Sequence, residues 1–171
     1  NPEITQNNLI TRDLKLDVLM CIGELFLQCG DFCGKHVNRV MKLLHLSCEG
    51  VLSIPDLNYA EILQESIIET LMCIFHGITE DSIKNDIPTY LSMTVEFVRL
   101  TTEKSRHPKL DYVKECLMLL ADISNIYPDT KAFLAKAEFI AERTATLVLF
   151  NKDGHLSQTI AYVKQQFQLK I

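Results

Sequence analysis

The chain has no Trp, and aromatic residues make up only 8% of its 171 positions. Gly and Pro are scarce too, at 6 and 5. A β-sandwich of many short strands needs turn residues far more often, so the scarcity points to long helices with few connections. No uninterrupted apolar run reaches the length of about 18 residues that a bilayer-spanning helix requires. The sequence contains no phosphate-cradling Gly-rich loop, no strained Ser elbow and no His-Glu-x-x-His pair, which removes the commonest enzymatic signatures. Cations are in the minority, with 17 Lys and Arg against 22 Asp and Glu and a net charge of -5. That balance argues against binding nucleic acid or an acidic membrane, both of which want clustered Lys and Arg. The chain starts at Asn1 with neither Met nor a signal-like segment, so it is expected to be a piece of a longer protein.

Hydrophobic residues, by contrast, make up 47% of the chain, enough to bury a sizeable core and to exclude wholesale disorder. Cys21, Cys48, Cys73 and Cys116 fall within apolar helical patterns, where a reduced Cys acts as a small core residue. A reducing compartment, cytosol or nucleus, follows from that reading. The acidic excess sits in the middle: residues 53–108 carry four basic and nine acidic side chains, whereas the flanks are nearly balanced. An acidic centre fits a basic partner, and a merely solvated surface is the alternative.

Spacings of three and four run from end to end and predict an all-α chain. Leu14, Val18, Cys21, Ile22, Leu25 and Cys29 form the apolar stripe expected of the first helix, which Gly30 and Asp31 break. Val37, Val40, Met41, Leu44 and Cys48 make the second. A third helix is expected over 57–78 through Leu63, Ile67, Leu71, Ile74 and Phe75, ending near Gly77. Asp86 is placed to N-cap a fourth, with Pro88 in its first turn and Ile87, Leu91, Thr94, Val95 and Val98 buried. Further helices are expected at about 109–127, 131–150 and 155–169, separated by turns at Pro128–Asp129 and Asn151–Gly154.

The odd-numbered helices superpose at a spacing of forty-nine residues. Val18, Ile67 and Cys116 coincide, then Leu19, Ile68 and Leu117, then Ile22, Leu71 and Leu120, then Leu25, Ile74 and Ile123. Each helix is followed by an acidic turn: Asp31, Glu80 with Asp81, and Asp129. Helix pairs repeating at this period describe a HEAT-type α–α superhelix, in which stacked pairs bury a core that one pair alone cannot. The expected layout is one region, 1–171, with pairs at 12–52, 57–105 and 109–150 and a capping helix at 155–169. The cap follows from the polar outer face of Gln158, Lys164, Gln165, Gln168 and Lys170. The amino-terminal edge, where earlier repeats would stack, is expected to be raw and to favour self-association.

Three segments carry a family likeness. LDVLMCIGELFLQCG at 16–30 resembles an outer helix near the carboxyl end of importin-β. DLNYAEILQESIIETLMCIFHG at 56–77, with Leu63, Glu65, Ser66 and Glu69, resembles that family's Leu, Glu-Ser and Glu pattern. CLMLLADISNIY at 116–127 is similar to the next outer helix, with Ala121 and Asp122 where Gly-Asp is common. The resemblance implies a karyopherin-β nuclear transport receptor, of which this would be the last three or so repeats. It further implies passage between cytoplasm and nucleus, with no cofactor and binding rather than turnover. It implies a basic helical segment of an importin-α-type adaptor, or a cargo protein, as partner. Ran GTPase and nucleoporins would engage through repeats this chain lacks.

A solenoid of this kind binds on the face made by the second helix of each pair. In the fourth helix Thr89, Met93, Glu96, Leu100 and Glu103 lie opposite the packed stripe; in the sixth Glu138, Glu142, Thr146 and Leu149 do. Carboxylates one turn apart can meet Lys and Arg along a ligand, so Glu96, Glu103, Glu138 and Glu142 are the candidate partner-binding residues. Plain solvation, or pairing within the helix such as Glu96 with Arg99, is the alternative. Lys35, Arg39 and Lys42 on the first inner helix would instead repel a basic ligand. Cys29, Cys33 and His36 offer the nearest approach to a zinc site or a thiol–imidazole pair, but no fourth ligand or orienting carboxylate accompanies them, so no metal and no catalytic residue is assigned. A HEAT scaffold for another protein assembly is the second reading of the whole.

Overall fold

A computed structural model describes residues 2–79, 84–104, 109–152 and 154–170, and the account below concerns these. They form α-helices joined by turns and short 3-10 segments, with no strand among them. The chain divides into two compact units, Asn1–Ile83 and Lys84–Ile171. The acidic turn at Glu80 and Asp81 and the break from Ser105 to Pro108 lie outside the described residues.

The amino-terminal unit consists of α1 (Pro2–Cys29), a 3-10 turn (Gly30–His36), α2 (Val37–Val51) and α3 (Leu57–Gly77). Both α1 and α2 pack on α3. That is why α3 buries residues on nearly every turn, including Leu63, Ile67, Ile68, Leu71, Ile74 and Phe75. α2 buries Val37, Met41, Leu44, Cys48 and Val51 along one stripe and leaves its other side to solvent.

α1 corrects the sequence expectation. From Ile10 onward its buried positions are Leu19, Gly23 and Phe26, whereas Leu14, Val18, Cys21, Leu25 and Cys29 of the expected stripe are exposed. The helix is apolar on more than one side, and α3 takes the side that permits the closest approach. Gly23 lies where a Cβ would come within 3.3 Å of Cys73 Cβ. At the crossing, Thr70 Oγ1 donates to the Leu19 carbonyl at 3.1 Å as well as to Ser66 O in its own helix. Beyond the crossing, Asp31 accepts from the backbone N–H and the hydroxyl of Thr79, which ties the 3-10 turn to the end of α3.

α3 starts where it does because Asp56 sits at its N-cap in extended conformation and accepts from Tyr59 N–H at 3.2 Å. The other carboxylate oxygen takes a hydrogen bond from Arg12 at 2.6 Å, and that guanidinium lies 4.7 Å from the Tyr59 ring centroid. Both contacts hold the Asp56 carboxyl below its ordinary value of 3.8, the N-cap hydrogen bond first. A depressed carboxyl contributes stability that is present above its unfolded pKa and is lost as pH falls through the folded value. Asp56→Ala is therefore expected to lower the urea midpoint at pH 7, and the gap to wild type should close on acidification below about pH 4. A gap that persists unchanged at pH 2 would show that the cap contributes nothing through its charge.

The carboxyl-terminal unit consists of α4 (Ile87–Lys104), α5 (Leu110–Ile126), a 3-10 turn (Pro128–Thr130), α6 (Lys131–Leu134), α7 (Glu138–Phe150) and α8 (Ser157–Phe167). α5 is the central element, with Val113, Cys116, Leu117, Leu119, Leu120 and Ile123 all buried. Tyr112 on α5 donates to Thr101 Oγ1 of α4 at 2.9 Å, and Tyr162 of α8 donates to Asp122 of α5 at 2.8 Å. On α4, Ile87, Leu91, Thr94 and Val98 are buried as expected, with Val95 half-buried. The Asp86 carbonyl accepts from Thr89 and Tyr90 N–H at the start of that helix.

The helix expected at 131–150 is in fact two. α6 ends at Leu134, and Ala137 adopts an extended conformation before α7 begins at Glu138. At 100° per residue an unbroken helix would place Leu134 about 120° away from Ile140 around the axis. The break resets the phase, so that Leu134, Ile140, Thr144 and Leu147 are all buried.

Candidate protein-binding surfaces

The four carboxylates singled out from the sequence are all exposed. Their local settings differ. On α4, Arg99 lies between two acids: its Nε and Nη2 donate to Glu96 at 2.8 and 2.7 Å, and its Nη1 donates to Glu103 at 2.6 Å. The spacings i to i+3 and i to i+4 put the three side chains on one helical strip. The Arg99 hydrogen bonds hold the Glu96 carboxyl below the ordinary carboxylate range. This strip thus carries one net negative charge, and a basic ligand reaching it would have to share carboxylates that Arg99 already engages. The intrahelical alternative weighed for Glu96 is present, and it extends to Glu103.

On α7, Glu138 occupies the first turn, where the positive end of the helix dipole favours an anion. Glu142 follows one turn later, and its carbonyl accepts from Thr146 Oγ1 at 3.0 Å. Neither carboxylate has an ion-pair partner among the described residues. Leu149, on the same side by helical spacing, is exposed. α7 thus offers two unshielded acids followed by an apolar contact.

In the 3-10 turn after α1, the Cys33 thiol donates to the Leu25 carbonyl at 3.7 Å. Desolvation first, and the neighbouring Cys29 second, push its pKa up, the opposite of what an activated nucleophile needs. Among the described residues no three His, Cys, Asp or Glu gather as a metal site would require. No helix of the described residues is long and apolar enough to cross a membrane.

Two surfaces escaped the candidate residues chosen from sequence. One is a shallow groove of about 520 Å³ on α1, lined by Met20, Cys21, Glu24, Leu25 and Gln28. It follows from the second apolar side of α1, whose signal was assigned to the core instead. The other is the outer face of α2, where Leu43 and Leu46 stand exposed among cations.

These features define an all-α helical-repeat protein that presents charged and apolar helix faces. Within that class, the family model for importin subunit beta-1-like proteins, TPR repeats, matches residues 3–144, and the chain belongs to this family. The family's description speaks of TPR repeats where the sequence pattern pointed to HEAT repeats; both are stacking two-helix units. No curated protein and no solved structure matches the chain.

Proposed function

We propose that this chain is a protein-binding carboxyl-terminal segment of a nuclear import receptor that helps clasp a basic helical segment of an importin-α-type adaptor or of a cargo. The family match over residues 3–144 carries the reading. In this reading the region 1–171 acts as one run of helix pairs, at 12–52, 57–105 and 109–150, closed by the helix at 155–169. It works by binding, without turnover or cofactor, and shuttles between cytoplasm and nucleus. Ran and nucleoporins act through other repeats of the receptor. Glu138 and Glu142 supply the unshielded charges, and Glu96 and Glu103 join them when ligand Arg or Lys displaces Arg99. The acidic middle of the chain, nine acids against four bases over 53–108, supports a basic ligand.

The test is titration of the chain against a labelled Arg-rich helical peptide at about 50 and 200 mM salt, where screening separates charge-driven binding from the rest. Saturable binding that weakens with salt is expected, together with a loss of about tenfold in Glu96→Lys/Glu138→Lys. Absence of binding at low salt by the folded chain would leave the second reading, a helical-repeat scaffold that docks a folded protein and has no preference for basic helices.

A further inference from the structure

The buried row of α2, Val37, Met41, Leu44, Cys48 and Val51, fixes which side of that helix faces α3. At 100° per residue the opposite side is made by Arg39, Lys42, Leu43, Leu46, Glu49 and Gly50. All six are exposed, Leu43 at 53% and Leu46 at 63%. The 3-10 turn leading into α2 adds Lys35, exposed, and Phe32, which at 90% exposure has almost no contact within the chain. Lys35, Arg39 and Lys42 have no ion pair among the described residues. Two acids lie nearby: Glu49, 3.5 Å from His45, and Asp31, which accepts twice from Thr79. The strip is therefore cationic and apolar together, in a chain whose net charge is -5.

We infer that this face of α2 docks an acidic amphipathic helix of a partner protein. Its Asp and Glu would meet Lys35, Arg39 and Lys42, and its apolar residues would cover Leu43, Leu46 and Phe32. Charge complementarity sets the sign of the ligand, and the two Leu set its second requirement. A nucleic acid would satisfy the cations but would leave the Leu side chains without apolar partners, and three cations are few for a polyanion. From Arg39 to Leu46 the strip runs about 10 Å, and the preceding turn lengthens it, which suits a ligand helix of about three turns. This binding mode is a helix laid on a helix face, with anchors at spacings of three and four. It is independent of the basic-ligand surface on the other unit and opposite to it in sign.

The probe is a fluorescein-labelled synthetic peptide of about 18 residues, with Leu on one helical face and Glu on the other. It is titrated into the 171-residue chain by fluorescence anisotropy. Saturable binding is expected, weakened about tenfold by Arg39→Glu/Lys42→Glu and several-fold by Leu43→Ala/Leu46→Ala. The positions are exposed, and far-UV circular dichroism verifies that each variant is folded. The charge-reversed variant should bind the Arg-rich peptide no less well than wild type, which keeps the two surfaces distinguishable. Four results would overturn the assignment. The first is no saturation, and the second is equal binding by the variants. The third is equal affinity for a peptide carrying Lys in place of Glu. The fourth is preferential binding of a single-stranded oligonucleotide or of phosphatidylserine vesicles.

Discussion

Gly77→Ala is expected to be among the most damaging substitutions in the amino-terminal unit, costing about 3 kcal/mol or more. A Cβ at this position would overlap the Phe26 carbonyl oxygen and lie 2.5 Å from its carbon and 2.9 Å from Leu27 N. These are backbone atoms inside a regular helix, so no rotamer change can make room, and α1 must shift bodily. The shift would loosen Leu19 and Phe26, the main buried side chains of α1, and would break the bond from Thr70 Oγ1 to Leu19 O. The crossing is tight from the other side as well: Gly30 has φ +52, and a Cβ there would come 2.9 Å from Gly77 O. Gly50 is the control, since it is exposed in α2 and a Cβ there meets nothing within 4 Å. Gly50→Ala should be neutral or gain up to about 1 kcal/mol from helix propensity. Urea unfolding followed by circular dichroism, with hydrogen exchange in α1 and α3, reads both variants. Equal midpoints for the two would mean that the crossing is not close-packed.

The same glycine shows where the sequence was legible and where it was not. Its position near the end of a periodic segment marks a helix stop, and α3 does end there. Its role as the contact point for another helix leaves no local trace, because closeness depends on which residues lie opposite. The helical period identified α2, α3 and α4 together with most of their buried faces, since each is apolar along one dominant stripe or buried nearly all round. It misplaced the face of α1, where apolar residues occupy several sides and only the partner decides which one is covered. It merged α6 with α7, because no Pro or Gly marks a break that serves to bring Leu134 and Ile140 to the same core. At the surface, the i to i+3 pairing of Glu96 with Arg99 was readable from spacing alone. That Arg99 would also hold Glu103 depends on a rotamer, which spacing does not fix.

Alkylation of Cys48 in the native chain at pH 8 is expected to be about a hundredfold or more slower than for an ordinary exposed thiol. Burial pushes its pKa from the ordinary 9.0 up to about 12, so the thiolate fraction falls about a thousandfold; the greater nucleophilicity of a more basic thiolate offsets part of that loss, and restricted access adds to it. Cys116, fully enclosed on α5, has its pKa raised in the same direction and for the same first cause. Cys21 and Cys29 are exposed and should react first, giving a two-class pattern readable by mass spectrometry of iodoacetamide-treated peptides. Stability at high pH follows from the same shift. Below pH 9.0 the Cys48 thiol is protonated in both folded and unfolded chains, and its contribution is constant. Between 9.0 and about 12 the unfolded chain ionises while the folded one retains the proton. Stability then falls with rising pH, at about 1.4 kcal/mol per pH unit from this group. Tyr90 and Tyr162, both raised to about 12 chiefly by burial, steepen the decline above pH 10. Cys48→Ala removes one titrating group, so its stability curve from pH 9 to 11 should be shallower than wild type, even though it starts lower. Labelling of native Cys48 as fast as Cys29, or an unchanged alkaline slope in Cys48→Ala, would mean that the thiol is not sealed between α2 and its neighbours.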